Sequence, residues 1–187
     1  MVWLVLGGLV ALVTALEYGD LWASRAGRSA VADARALVPV PVDQLVAVEI
    51  AIAGTLHRFE RDAGGAWFYH GAHTGSEGEH THTTDASTAA RIAQAFQAFG
   101  RTRIERRVPT GADPRAYGVT TPRVLVLVYR ANDRRPLAQY AVGDVAPDTM
   151  SRYVDIVGGG GVVTIPGYQV DNLLSLVATV SSGASGR

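Results

Sequence analysis

Cysteine and lysine are both missing from this chain of 187 residues. Without cysteine the protein has no disulfide, no thiolate nucleophile and no cysteine-ligated zinc. All 17 basic residues are arginines, and they balance 17 acidic residues to give a formal net charge of zero. The arginines are scattered, so the chain offers no basic stripe to match the phosphates of a nucleic acid. The composition excludes thiol chemistry and gives no argument for a nucleic-acid partner.

The chain also lacks a long apolar run, because its uncharged N-terminal stretch ends after residue 16. A membrane-spanning helix needs roughly 20 residues to cross the hydrocarbon core. Trp3 lies near one end of this stretch, and Tyr18 and Trp22 lie just beyond the other. Aromatic side chains favour the two membrane interfaces. We therefore predict a transmembrane anchor over residues 1–22, in contact with the lipid bilayer.

A cleavable signal peptide is the alternative to a retained anchor, because residues 13–15 form a possible cleavage site. No Lys or Arg precedes the apolar stretch, which favours the anchor. Residues 23–36 are small and polar and are predicted to form a stalk. The arginines after the span leave its orientation open, because long domains cross a membrane largely regardless of flanking charge.

Small residues spaced by four line one side of the predicted anchor, at Gly7, Ala11 and Ala15. Helices in lipid associate by close backbone approach along such strips. We therefore expect these three residues to pack against another helix, although glycine and alanine are common enough in membrane spans for the strip to arise by chance.

Residues 37–180 show the short strands and turns typical of an antiparallel sheet. Strands are predicted near residues 46–52, 55–61, 66–70, 101–108, 123–130, 136–144, 151–157 and 162–165, and helices over 86–100 and 167–180. Strands that follow one another through short turns form an antiparallel sheet with helices packed on one face. We predict an α+β domain with one or more mainly antiparallel sheets and two helices, followed by a flexible tail at 181–187.

Several local features of the domain are specific enough to be tested against a structure. Thr84 or Asp85 is expected to cap the first helix. The strand at 123–130 is apolar on both faces, which predicts a central position in the sheet. Gly118 is expected to supply a positive φ in a packed turn. The four glycines at 158–161 are predicted to form a hairpin loop, because the motif of a phosphate-binding loop is missing.

Histidines are concentrated in residues 70–85, which are predicted to form a loop. Four of the chain's five histidines fall here, at positions His70, His73, His80 and His82. Zn²⁺ or Cu²⁺ would accept these imidazoles, together with a carboxylate from Glu77, Glu79 or Asp85. Metal sites normally hold their ligands on rigid elements, whereas this stretch is rich in glycine. A solvated polar loop without a cofactor is the favoured interpretation, and a metal site is the alternative.

The order and spacing of several residues resemble those of a known group of bacterial proteins. These residues are Trp67, Asp85 with Ala86, Tyr117-Gly118-Val119 with Pro122, Gly143, and Tyr153 with Val154. The chain resembles family 4340 of the bacterial domains of unknown function over residues 37–178. It departs from the family at Val119, where leucine is usual, in lacking a basic residue ahead of the span, and in lengthening the loop before the first helix.

The resemblance implies an anchored domain outside the inner membrane, often encoded near components of ABC transporters of the gliding-motility type. No catalytic residues are assigned to that family, and the chain shows no nucleophile-elbow pattern. We therefore expect a non-catalytic, single-span accessory subunit of a bacterial inner-membrane complex, with its domain in the periplasm and other subunits as partners. A periplasmic metal-binding protein that uses residues 70–85 is the alternative.

Overall fold

The computed structural model describes residues 33–73 and 85–184. The chain divides into two units, residues 1–34 and 35–187, and every helix and strand among the described residues lies in the second unit. The predicted anchor at 1–22 lies outside the described residues. Within the ranges that are described, no helix is long and apolar enough to cross a membrane.

The described residues form eight strands and two α-helices. The strands are β1 Leu45–Ile52, β2 Thr55–Arg61, β3 Trp67–His73, β4 Arg106–Arg107, β5 Val124–Arg130, β6 Ala138–Val145, β7 Ser151–Ile156 and β8 Gly161–Pro166. The helices are α1 Ala86–Gly100 and α2 Gly167–Ala184, with short 3-10 helices at Val42–Gln44 and Pro114–Tyr117. All strands join one sheet in the order β3-β2-β1-β5-β6-β7-β8-β4, and every neighbouring pair is antiparallel. The predicted α+β class is confirmed, with a single sheet.

The strand predicted to be central is central, because β5 lies between β1 and β6. Its register with β1 places Val126 opposite Ile50. Val126 and Val128 are almost fully buried, whereas Leu125 and Leu127 on the opposite face are only half-buried. The apolar character of both faces predicted the position of the strand correctly, but only one of the faces enters the core.

Helix α1 begins at a carboxylate cap, as the sequence predicts. The side chain of Asp85 accepts hydrogen bonds from the backbone N–H groups of Ser87 and Thr88, both at 2.9 Å. Hydrogen bonds from Ser87 and Thr88 hold the pKa of this carboxyl well below its usual range. Such a cap satisfies backbone donors that a first helical turn leaves without partners.

Aromatic side chains join α1 to the sheet. Phe96 packs edge-on against Phe59 of β2, with ring centroids 5.2 Å apart, and against Trp67 of β3 at 4.8 Å. One turn further along, Phe99 packs edge-on against Tyr140 of β6 at 5.8 Å. Edge-to-face pairs at these distances add to the stabilisation from buried area. The core therefore lies between one face of the sheet and the two helices.

Helix α2 closes the core and runs further than predicted. It continues to Ala184, so residues 181–184 of the expected tail are helical. Val180 is still 92% buried, at 8% exposure, and the Ser181 hydroxyl donates to the carbonyl of Val177 at 2.7 Å. Packing of Val180 and this hydrogen bond within the last turns explain why the helix does not stop at residue 180.

The segment before β4 also differs from the prediction. The expected strand at 101–108 is reduced to the two residues of β4. Ahead of it, Arg103 pairs with Ala36 as an isolated bridge, and the N–H of Ile104 donates to the carbonyl of Arg35 at 2.7 Å. Ile104 is 5% exposed, so the chain turns into the core here instead of continuing along the sheet. The end of the expected stalk is thus paired with the domain.

Two predicted turns are confirmed. Gly118 ends the 3-10 helix Pro114–Tyr117 with φ 69°, in the left-handed region that favours glycine. The glycines between β7 and β8 form a hairpin loop, in which Gly158 and Gly159 have φ values of 97° and 130°.

Candidate functional site

Two of the predicted metal ligands do not lie in a loop. His70 and His73 belong to β3, because β3 pairs with β2 as far as the register pair Leu56–His73. The register shifts between Arg58 and Phe59, and the bulge opposite is accommodated by Gly71 with φ 134°. Glycine adopts such a φ without steric cost. The predicted loop therefore begins later than residue 70.

Only one of the four histidines has a described side chain. His70 Nδ1 lies 3.4 Å from Glu60 Oε2. For His73 only the backbone is described, and His80 and His82 lie outside the described residues. Within residues 33–73 and 85–184, no group of three or more His, Asp or Glu side chains could hold a metal ion. The metal site stays a prediction.

The predicted helix-packing residues Gly7, Ala11 and Ala15 also fall outside the part of the chain that the structure describes. Their contact with another helix stays a prediction.

Both helices pack on one face of the sheet, so that among the described residues no helix covers the other face. We term that other face the open face. Its side chains include Phe68 of β3, Leu56, Arg58 and Glu60 of β2, Ala47, Glu49 and Ala51 of β1, Leu125, Leu127 and Tyr129 of β5, and Gln139 and Ala141 of β6. The large apolar side chains of this face lie outside the hydrophobic core and are half-buried, whereas the small Ala47 and Ala141 are buried.

A polar cluster, defined as Glu49, Arg58, Glu60 and Tyr129, lies in the middle of the open face. Glu49 accepts a hydrogen bond from Arg58 Nη1 at 2.5 Å and another from the Tyr129 hydroxyl at 2.6 Å. Arg58 Nε donates to Glu60 Oε1 at 2.6 Å. Only 10% of the Glu49 side chain is exposed, and both of its carboxylate oxygens are hydrogen-bonded. Burial of a charge is tolerated when it is paired in this way.

The electrostatics of the polar cluster keep Tyr129 protonated. Burial, together with the neighbouring Glu49 carboxylate, raises the pKa of Tyr129 to about 12. The Arg58 guanidinium lies over the Tyr129 ring, 5.7 Å from its centroid. Two carboxylates and one guanidinium leave one negative charge in excess. The cluster holds no activated nucleophile, and its chemistry suits recognition by hydrogen bonds and charge.

The segment between β4 and β5, residues 108–123, covers one end of the open face, and we term it the connector. A Cβ at Gly143 of β6 would overlap the carbonyl oxygen of Tyr117 and lie 2.7 Å from Val119 Cγ1. The ring of Tyr117 packs against that of Tyr153 of β7, with centroids 4.7 Å apart. The connector reaches the sheet because Gly143 has no side chain. Only the part of the open face around the polar cluster is left uncovered by this connector.

Sequence reasoning singled out the histidines and missed the polar cluster. One signal was present, because Glu49 interrupts an otherwise apolar strand. Arg58 and Glu60 follow with a spacing of two in the next strand, which places them on one face. The register that brings Glu49 opposite Arg58 becomes known only from the structure.

Comparisons with known proteins add no family to these observations. No family model, curated protein or solved structure matches the chain. The resemblance to family 4340 therefore stays a prediction.

Proposed function

We propose that this chain is a non-catalytic accessory subunit of a bacterial membrane complex, which binds another protein through its open face. One observation carries the proposal: Phe68, Leu125 and Leu127 lie half-buried on a face outside the core. An antiparallel sheet with helices on one face ordinarily presents polar residues on the other. Large apolar side chains grouped on such a face are typical of an interaction surface.

The charges of the open face indicate what kind of partner it suits. Glu60 contributes to the excess negative charge of the polar cluster. Asp155 of β7 lies opposite Ala141 of β6, which in turn lies opposite Leu125. The apolar side chains of the open face, Leu125 and Leu127, therefore lie between the carboxylates of Glu60 and Asp155. We propose a partner surface with a flat apolar centre and arginine or lysine at its rim, since complementary charges set the orientation of docking.

The location of the subunit in this proposal follows from the sequence. Residues 1–22 would anchor the chain in the inner membrane, and the domain would face the periplasm, as the resemblance implies. An anchor confines both proteins to one surface, so that a contact area of modest size is sufficient for binding. Other subunits of an integral membrane complex are the partners that this arrangement favours.

Site-specific photo-crosslinking tests the proposal. A photoreactive amino acid at position Leu127 should crosslink the full-length chain to a defined membrane-associated protein in intact cells. The same probe at Met150, which is 78% exposed in the turn between β6 and β7, is the matched control. An identical set of products from both positions, or none from Leu127, would count against the open face.

A second pair of variants asks whether the crosslinked partner depends on apolar contact. Leu125→Asp with Leu127→Asp should abolish co-purification of that partner, because it buries unpaired charges in the interface. Met150→Asp introduces the same group away from the open face and should leave co-purification unchanged. Circular dichroism must show that all variants are folded. Unchanged co-purification of the double variant would contradict the proposal.

Metal binding is the competing proposal, and the pair formed by His70 and Glu60 is the observation in its favour. A carboxylate beside an imidazole is the usual way in which a metal-binding histidine is oriented. Calorimetric titration with Zn²⁺ and Cu²⁺ tests it directly. Stoichiometric binding that is lost when His73, His80 and His82 are replaced by Ala would favour the metal-binding function, and the absence of binding would remove it.

A further inference from the structure

A cleft opens at one end of the domain, between the first half of α2 and strands β5 and β6. Its volume is about 480 Å³. The floor is apolar and is formed by Val124, Val142, Val170 and Leu174. Binding sites for small molecules are concave, mostly apolar and about 300–1000 Å³ in volume, with a few polar groups that orient the ligand. The cleft meets this description and lies apart from the polar cluster.

Charged side chains of both signs stand at the rim of the cleft, and they are Arg123, Arg152 and Asp144. Among the described residues, Arg123 and Asp144 form no ion pair. Arg152 lies 3.6 Å from Asp171, which is too long for a hydrogen bond. Arg152 also pairs in register with Val145, the residue after Asp144. Cationic and anionic groups therefore line the same rim, and Arg123 and Asp144 can each form an ion pair with a ligand.

The sum of these charges selects a class of ligand. Asp171 lies outside the lining but within ion-pair distance of Arg152. Arg123 and Asp144 therefore remain as one cation and one anion at the rim, and a ligand with a net charge would leave one of them without a match. A neutral ligand with a separate carboxylate and ammonium group would match both signs. Such a ligand also needs an apolar body, because a polar group placed against the apolar floor would lose its hydrogen bonds to water without replacing them.

The apolar surface continues beyond the floor, which indicates a ligand larger than a single amino acid. Val145 lines the cleft and is 47% exposed. An exposed apolar side chain in the lining extends the binding surface beyond the floor.

We propose that this cleft binds a zwitterionic apolar dipeptide. Its side chains contact the floor, its carboxylate meets Arg123 and Arg152, and its ammonium group meets Asp144. The ligand site is independent of the open face, so that loss of either one leaves the other intact.

Isothermal titration of the full-length chain with leucyl-leucine is the first test. We expect saturable binding at one site, weakened at least fivefold when the ligand is N-acetylated and at least fivefold when its carboxylate is amidated. Each modification removes one of the two charges that the rim recognises. Absence of saturable binding, or equal binding of the three ligands, would overturn the proposal.

Variants then assign each charge to its partner. Asp144→Asn should abolish the preference for the free ammonium group while keeping the preference for the free carboxylate, and Arg123→Gln should weaken the second preference. Leu174→Trp fills the floor and should remove binding altogether. Arg134→Gln changes an exposed arginine in the turn between β5 and β6 and is the matched control. If Arg134→Gln loses as much affinity for the dipeptide as Arg123→Gln, the proposal that Arg123 recognises the carboxylate is wrong.

Discussion

On the covered face of the sheet, Phe59 and Val128 are fully buried against the helices, whereas Phe68 and Leu127 on the open face stay half-buried. Both faces are built from the same strands, and both carry large apolar side chains. The difference lies in what packs on them, because α1 and α2 both lie on the covered face. Apolar residues on the covered face stabilise the fold, whereas those on the open face contribute less to the core and are the residues for which we propose a partner.

The largest expected effect is a difference in the free energy of unfolding between alanine variants of two phenylalanines that are close in sequence. Phe59→Ala should lower the free energy of unfolding by about 3–5 kcal/mol, because it leaves a cavity beside Phe96. Phe68→Ala, on the open face, should cost about 1 kcal/mol or less. Denaturation by urea, followed by circular dichroism, measures both. Equal losses would show that the open face is packed as tightly as the core.

The next effect concerns the connector that covers one end of the open face. Gly143→Ala should destabilise the domain by about 1–3 kcal/mol, because the added methyl group overlaps Tyr117 and Val119. Gly64→Ala is the matched control, since its nearest neighbour is the exposed Asp62 side chain at 3.3 Å. The melting temperature of each variant measures the difference. A normal melting temperature for Gly143→Ala would mean that the connector can lift off the sheet.

The polar cluster gives a smaller effect, because one of its members is partly exposed. Arg58→Ala leaves Glu49 buried without its guanidinium and should cost about 1–2 kcal/mol, near the lower end for an unsatisfied buried group. Arg58 has 32% of its side chain exposed, which moderates the loss. Adding Glu49→Leu should restore part of the stability, since the unpaired charge is then gone. If the double variant is less stable than Arg58→Ala, the carboxylate is stabilised by other groups.

Much of the fold could be predicted because it follows from local patterns. The apolar alternation in β1, the Asp85 cap and the left-handed Gly118 depend only on residues close in sequence. Several residues that carry the resemblance to family 4340 serve packing. Trp67 packs against Phe96, and Gly143 leaves room for Tyr117 and Val119 of the connector. Patterns of this kind report on the fold and leave the function open.

The candidate surfaces were harder to predict because they depend on long-range register. Glu49 meets Tyr129, 80 positions away, only because β1 lies between β2 and β5. The lining of the cleft combines the ends of β5, β6 and β7 with α2. Local patterns place Glu49, Arg58 and Glu60 on faces of their strands, but they do not show which strands are neighbours. The histidines drew attention because they are close in sequence, yet β3 already contains two of them.

The smallest effect is the response of a buried histidine on the covered face to pH. His57 lies on the covered face opposite Ile50, is 8% exposed and has its Nδ1 2.9 Å from the Tyr69 hydroxyl. Burial lowers the pKa of His57 below its ordinary value of 6.5.

The sign of the effect follows from proton uptake by the unfolded chain. Below about pH 6.5 the unfolded chain protonates His57 while the folded chain resists, so stability is greatest above this pH and declines as the pH falls towards the lowered pKa. We therefore expect the melting temperature of the native protein to fall more between pH 7.5 and 5.5 than that of His57→Gln, in which the amide does not titrate. If His57→Gln and the native protein lose stability in parallel, the burial of His57 on the covered face does not control the pH dependence, and the prediction is wrong.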